Sequence, residues 1–124
     1  MKLNEIIHRI KKQSPEDYEN VSLADWCAVV NSINKRIYDN IISRHETDMK
    51  YDEIRSGEDE LPIPDEYTDI YVLFISADRA LARNEIVKYN NSMQAFNALY
   101  SRYADYINRT YIPKQIASIK LGVM

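Results

Sequence analysis

The chain has 124 residues, a formal net charge of -3 and a sequence pI of about 5.4, with 28% charged and 45% hydrophobic residues. That is enough for one modest core, and too apolar for a disordered chain. The acidic balance excludes a strong general affinity for nucleic acid or anionic lipid. Only Gly57 and Gly122 are glycine, which disfavours folds built on many tight turns and favours helices.

The opening residues "MKLNEIIHRI" lack a signal-peptide h-region, and no apolar run approaches the ~18 residues of a membrane span. One cysteine, Cys27, cannot form an internal disulfide and fits a reducing compartment. Three Asn-x-Ser/Thr matches begin at Asn20, Asn90 and Asn108; with no secretion signal they read as chance.

Leu3, Ile6, Ile7 and Ile10 recur at helical spacing and predict a first helix ending near Gln13. Ser14 to Asp17 reads as a turn or a short helical start. Ser22 is a good N-cap, with Asp25 placed to reach back. The stripe Leu23, Trp26, Val30, Ile33, Ile37 and Ile41 predicts a second helix from Leu23 to Ser43. Its far face carries Asn31, Lys35, Asp39 and Asn40 and reads as a solvent or partner contact.

Residues 44–64 have no helical stripe and many charges, and read as a long loop, with Met49–Tyr51 and Leu61–Ile63 as short extended pieces of a loose β-ribbon. Asp65 reads as the cap of a third helix with Glu66 and Asp69 in its first turn. Tyr67, Ile70, Tyr71, Phe74, Ala77 and Leu81 share one face, and Val72, Leu73 and Ile75 widen it, which makes this the most buried helix. Asn84 tolerates the left-handed conformation and ends it.

In the last helix, predicted from Glu85 to Tyr111, the residues Ile86, Tyr89, Met93, Phe96, Tyr100, Tyr103 and Ile107 alternate steps of three and four. It is roughly 40 Å long at 1.5 Å per residue and stops before Pro113. Beyond it, Ile119, Leu121 and Val123 alternate with Lys120 and Gly122 at the period of a strand in need of a partner edge. The expected fold is all-α: a bundle of about four helices over residues 1–113, with loop 44–64, and a flexible C-terminal tail at 114–124.

Catalytic signals are weak. His45-Glu46 begins an HExxH pattern, but Met49 stands where the second histidine belongs, so it reads as a polar helix end. Asp52, Glu53, Glu58, Asp59 and Glu60 lack calcium-loop spacing and read as a solvated acidic loop, able to steer towards a basic partner. A metal enzyme using these acids is the weakest of the readings. Cys27 beside Trp26 reads as a packing residue, since neither His8 nor His45 comes with a nucleophile signature. No phosphate-binding loop, dinucleotide motif or CxxC is present, so neither an enzyme nor a cofactor is expected.

Ten tyrosines stand against two phenylalanines and one tryptophan. Tyrosine suits a ring that is buried while its hydroxyl meets water or another chain. Tyr89, Tyr100 and Tyr103 read as core-seam residues, and Tyr106 and Tyr111 as subunit contacts. Asn90, Asn91, Asn97 and Asn108 are poor mid-helix formers, and a neighbouring chain would explain them.

The segment "LPIPDEYTDIYVLFISADRALARNEIVKYNNSMQAFNALYSRYADYINRTYIPK", Leu61 to Lys114, resembles small helical head-tail connector (adaptor, or head-completion) proteins of tailed bacteriophages and prophages of Gram-positive bacteria. The matching signs are Pro64 before Glu66-Tyr67, then "YTDIYVL", then "KYNNSMQAFNALYSRYADYINRT" and "IPK". The earlier half fits more loosely, through "LADW". Many relatives carry glycine between the last two helices, where this chain has Arg83-Asn84, and the middle loop is particular to this chain.

The resemblance implies a homo-oligomeric, dodecameric ring beneath the portal protein, docking a tail or further completion protein, with DNA passing through unbound. It implies a virion location at the head-tail junction, reached from the host cytoplasm, and no membrane. Interface candidates are Asn90, Asn91, Tyr106, Asn108, Tyr111 and Lys114, with Ile119, Leu121 and Val123 in the tail. The competing reading is a small helical regulator, of anti-repressor or antitoxin type, that binds a host partner helix in groove.

Overall fold

The computed structural model describes residues 1–14, 18, 20–50 and 52–114. Four helices follow in chain order: α1 (Leu3–Gln13), α2 (Leu23–Asn40), α3 (Asp69–Ala82) and α4 (Ile86–Thr110). Single 3₁₀ turns at Ile42–Arg44 and Asp65–Tyr67 flank the long connection between α2 and α3. Among the described residues there is no sheet, only two isolated antiparallel bridges, Lys2 with Glu60 and His45 with Pro113. The fold is therefore the small all-α bundle expected.

Each helix forms where its apolar period says it should. α1 buries Leu3, Ile6 and Ile10, one stripe at steps of three and four. α2 buries Trp26, Val30, Ile33 and Ile37 on its stripe, and the Ser22 hydroxyl accepts the Asp25 N–H at 3.1 Å. That is half of the predicted capping arrangement. α2 stops three residues earlier than predicted. The chain tightens into the 3₁₀ turn, which buries Ile42 as well as Ile41.

α3 is the central helix. It buries Ile70, Tyr71, Val72, Ile75, Ala77 and Ala80, a surface broader than a single stripe. Leu81, placed on the inner face by its period, is instead 51% exposed, because the bundle ends one turn before the helix does. Asp65 is not the cap of α3. It lies in the 3₁₀ turn, and its carboxylate accepts the terminal ammonium of Met1 at 2.8 Å.

Asn84 has φ 60°, the left-handed conformation expected of it. Its N–H donates to Leu81 O at 3.0 Å, and the Glu85 N–H donates to Ala80 O at 2.9 Å. Together these two bonds form a Schellman cap. The chain turns back there, and α4 runs antiparallel along α3, with Phe96 against Phe74 and Tyr103 against Tyr67. α4 packs chiefly on α3 and meets α2 mainly where Tyr103 shares a cleft with Asn34 and Ile37.

Among the described residues, 45–63 do not form a β-ribbon. They form a strap across the bundle that buries His45, Ile54, Leu61 and Ile63. Asn31 clamps its middle: the side-chain Nδ2 donates to Ile54 O at 2.9 Å and Oδ1 accepts the Ile54 N–H at 2.7 Å. Asn31, expected on a solvent or partner face, is thus a half-buried anchor within the chain. The strap's other end closes α1. The Leu3 and Asn4 N–H groups, which no helical carbonyl can reach, donate to Asp59 O at 3.1 Å and Gly57 O at 2.9 Å. Gly57 is glycine because a Cβ there would lie 2.1 Å from Asn4 Oδ1.

The expected Ser14–Asp17 turn lies, apart from Ser14, outside the described residues, as do Tyr51 and the tail with Ile119, Leu121 and Val123.

Candidate functional site

Two surfaces of α4 and the root of the tail hold the residues singled out from the sequence. The inner seam of α4 is buried only towards its C-terminus. Phe96, Tyr103 and Ile107 are buried, Tyr89, Met93 and Tyr100 are half-buried, and Ile86 is 49% exposed. Val87, beside it, is 75% exposed. With Leu81 across the corner, these side chains make an apolar tip on the α3–α4 hairpin. Asn90 and Asn91 follow it on the exposed side of α4.

Tyr106 lies half-buried against Tyr67 and Tyr103, at ring separations of 5.5 and 6.2 Å. Tyr111 packs half-buried beside the same core. Both therefore already hold positions inside the chain. Burial pushes the Tyr103 hydroxyl up to about 12. Tyr71 is raised as well, because its desolvation outweighs the bond its hydroxyl donates to Asn34 Oδ1.

Asn108 has an intramolecular role. Its Oδ1 position lies 2.7 Å from His45 Nε2, while His45 Nδ1 lies 2.8 Å from Ile41 O. The carbonyl can only accept, so Nδ1 carries a proton. A neutral ring accepts at Nε2 from the Asn108 amide N–H, and a doubly protonated ring donates there to the amide oxygen. In either state the buried His45 ties the end of α2 to the last turn of α4. It is not the polar helix end that its neighbours in sequence imply.

The tail root is paired. The Glu46 N–H donates to Ile112 O at 2.7 Å, and the Lys114 N–H donates to Arg44 O at 2.8 Å. Lys114, expected to begin a flexible tail, belongs to this short antiparallel contact, while its side chain stays exposed.

Four of the strap's acidic residues, Glu53, Glu58, Asp59 and Glu60, hold contacts within the chain. Glu58 accepts Lys2 Nζ at 3.0 Å and Asn4 Nδ2 at 3.1 Å, and the Lys2 partner holds its carboxyl below the usual range. Asp59 accepts the backbone N–H groups of Arg55 and Ser56 at 2.8 and 2.9 Å, which lower it too. Glu60 accepts the terminal ammonium at 3.0 Å, and Glu53 pairs with Arg55 at 3.3 Å. Among the described residues, no three His, Cys, Asp or Glu side chains come together as a metal-holding group.

Cys27 is buried and its thiol is pushed up by desolvation, which disfavours the nucleophilic thiolate. The cleft between α2 and the strap, lined in part by Asn34, Ile37, Met49, Ile63 and Tyr103, encloses about 20 Å³, room for about one water. The Nδ2 of Asn34 is buried there without a hydrogen-bond partner. No described helix is long and apolar enough to cross a membrane.

Sequence reasoning missed the anchors Asn31 and His45. The signal for the strap was present: Ile54, Leu61 and Ile63 are isolated aliphatics in a charged segment, and such residues need cover. Nothing in the sequence marks Asn31 as the residue that supplies it. No family model, curated protein or solved structure matches the chain.

Proposed function

We propose that the chain is a structural subunit of a phage head-tail connector, a ring that sits beneath the portal and joins the filled capsid to the tail. The observation that carries this reading is the resemblance of Leu61 to Lys114 to that family. In the fold this segment is one continuous unit: the end of the strap, α3, the Asn84 corner, α4 and the tail root. It presents an apolar hairpin tip at one end and the departing tail at the other, two separate places for neighbours to bind.

Chemistry on the surface is consistent with a passive channel. Lys11-Lys12 and Lys35-Arg36 are the only adjacent basic pairs, and Lys35 is partnered by Asp39 at 3.2 Å. Tight binding to phosphates needs many clustered cations. The tail, with Ile119, Leu121 and Val123, adds a strand to a neighbour in this reading.

Electron microscopy of the full chain mixed with the portal protein of the same phage tests the proposal. A ring of density below the portal is expected. Absence of binding under all conditions, together with capture of a host enzyme or repressor, would replace the connector with the regulator reading. A chain ended after Lys114 should keep the melting temperature of the full chain and lose portal assembly.

A further inference from the structure

α4 carries a second seam. Lys88, Asn91, Ala95, Ala98, Arg102, Asp105 and Arg109 also alternate steps of three and four, and all seven are exposed. They lie on the side of α4 turned away from α3. No charged residue occurs between Lys88 and Arg102, in a chain that is 28% charged. The exposed positions there are Asn90, Asn91, Gln94, Ala95, Asn97, Ala98 and Ser101. Solvated helix faces carry charge, whereas charge is depleted at the centres of interfaces.

We propose that this face packs antiparallel against the same face of a second copy of the chain, with Ala95 of each copy against Ala98 of the other at the crossing. Charge selects this occupant and this register. Centred between Ala95 and Ala98, antiparallel pairing sets Lys88 opposite Asp105 at both ends, and Asn91 opposite Arg102. A parallel pair would set Lys88, Arg102 and Asp105 each against itself. Sliding the antiparallel pair by one heptad towards the C-terminus sets Ala95 against Asp105 and Ala98 against Arg102. Only the central register matches unlike charges and puts the smallest side chains where the helices approach most closely.

Within the chain, Lys88 has only a marginal contact with Glu85, at 4.0 Å. Arg102 and Asp105 join no ion pair among the described residues. The flanking amides of Asn91 and Gln94 both donate and accept, so they can pair with their own kind. Such a contact is isologous and closes at two copies, whereas a ring uses head-to-tail contacts. It therefore describes the free subunit and is independent of the connector reading.

Sedimentation of the full chain over a concentration series tests it. A reversible monomer–dimer equilibrium is expected, of the weak class that small interfaces give. Ala98→Glu changes an exposed position to a good helix former and should keep the helical circular dichroism while weakening the dimer about 100-fold. Asp105→Lys should weaken it about 10-fold, and Lys88→Asp with Asp105→Lys should restore it to within about threefold. In Lys88→Cys with Asp105→Cys, oxidation should link chains, because the two sites are about 26 Å apart along one helix.

A chain monomeric at every concentration, or one that dimerises equally well as Ala98→Glu, overturns the proposal. So does a failed charge reversal. Pairing through a different face, or binding of this face to the portal in preference to a second copy, overturns it as well. Apart from binding to the portal, which would support the connector reading, none of these outcomes bears on whether rings form under the portal.

Discussion

The longest helix and the irregular strap make an instructive pair. α4 runs for 25 residues and fully buries Phe96, Tyr103 and Ile107. The strap, residues 45–63, has no helix or strand among its described residues and buries the side chains of His45, Ile54, Leu61 and Ile63. Helical regularity therefore does not measure a segment's share of the core. α4 is a helix because its backbone satisfies itself and its period matches one face. The strap has no repeating internal ladder, so beyond the local turn held by Asp59 its backbone bonds go to Asn31, to the start of α1 and to the tail root.

The sharpest way to break the comparison is to truncate its buried side chains. Ile54→Ala or Ile63→Ala in the strap should each cost about 2–5 kcal/mol, as much as Ile107→Ala in α4. Ile86→Ala, on the same seam of α4 but half exposed, should cost under about 0.5 kcal/mol. Chemical denaturation of the four variants decides the matter. A strap substitution as mild as Ile86→Ala would mean that the strap is a loose cover and not part of the core.

The second test uses pH and isolates α4. The Tyr103 hydroxyl is raised from its ordinary value of 10.0 to about 12 in the folded chain. The unfolded chain therefore releases this proton first as pH rises. The stability contributed is fully present below pH ~10 and is lost as pH passes through ~12, a loss on the order of 2–3 kcal/mol. Tyr71 adds to the loss in the same direction. Denaturant midpoints measured at pH 8, 10 and 11.5 should fall, and Tyr103→Phe should flatten the fall. An unchanged slope in Tyr103→Phe would assign the alkaline loss elsewhere.

A smaller effect is expected at the strap's clamp. Asn31→Ala leaves the N–H and carbonyl of Ile54 without their partner and should cost about 1–3 kcal/mol. Hydrogen exchange at Ile54 should accelerate more than exchange in α4. Equal acceleration in both would mean that strap and helix unfold as one unit.

Smallest of all is Gly57→Ala. The new methyl collides with the Asn4 side chain, which is exposed and can swing away at the expense of its bond to Glu58. A loss of about 1 kcal/mol is expected, and Asn4→Ala in the same background should relieve part of it. No relief would place the cost in the strap backbone.

The sequence by itself determined the helices, within a few residues, and the all-α class. Short-range effects set these: the apolar period, the Ser22 cap, the left-handed Asn84 and the stop before Pro113. It also marked α4 as a long seamed helix and the acids of the middle segment as lacking calcium-loop spacing. Only the tertiary structure decided which parts of those stripes meet a partner. Leu81 and Ile86 lie on correct faces but beyond the end of the bundle, so period alone could not expose them. Asn31, Asp65 and Asn108 have polar side chains whose partners lie 23 or more residues away in the chain, and His45 has one partner, Asn108, at 63 residues' separation. Their roles follow from where the strap crosses α2 and where α4 ends. That is a matter of long-range packing, which no local pattern encodes.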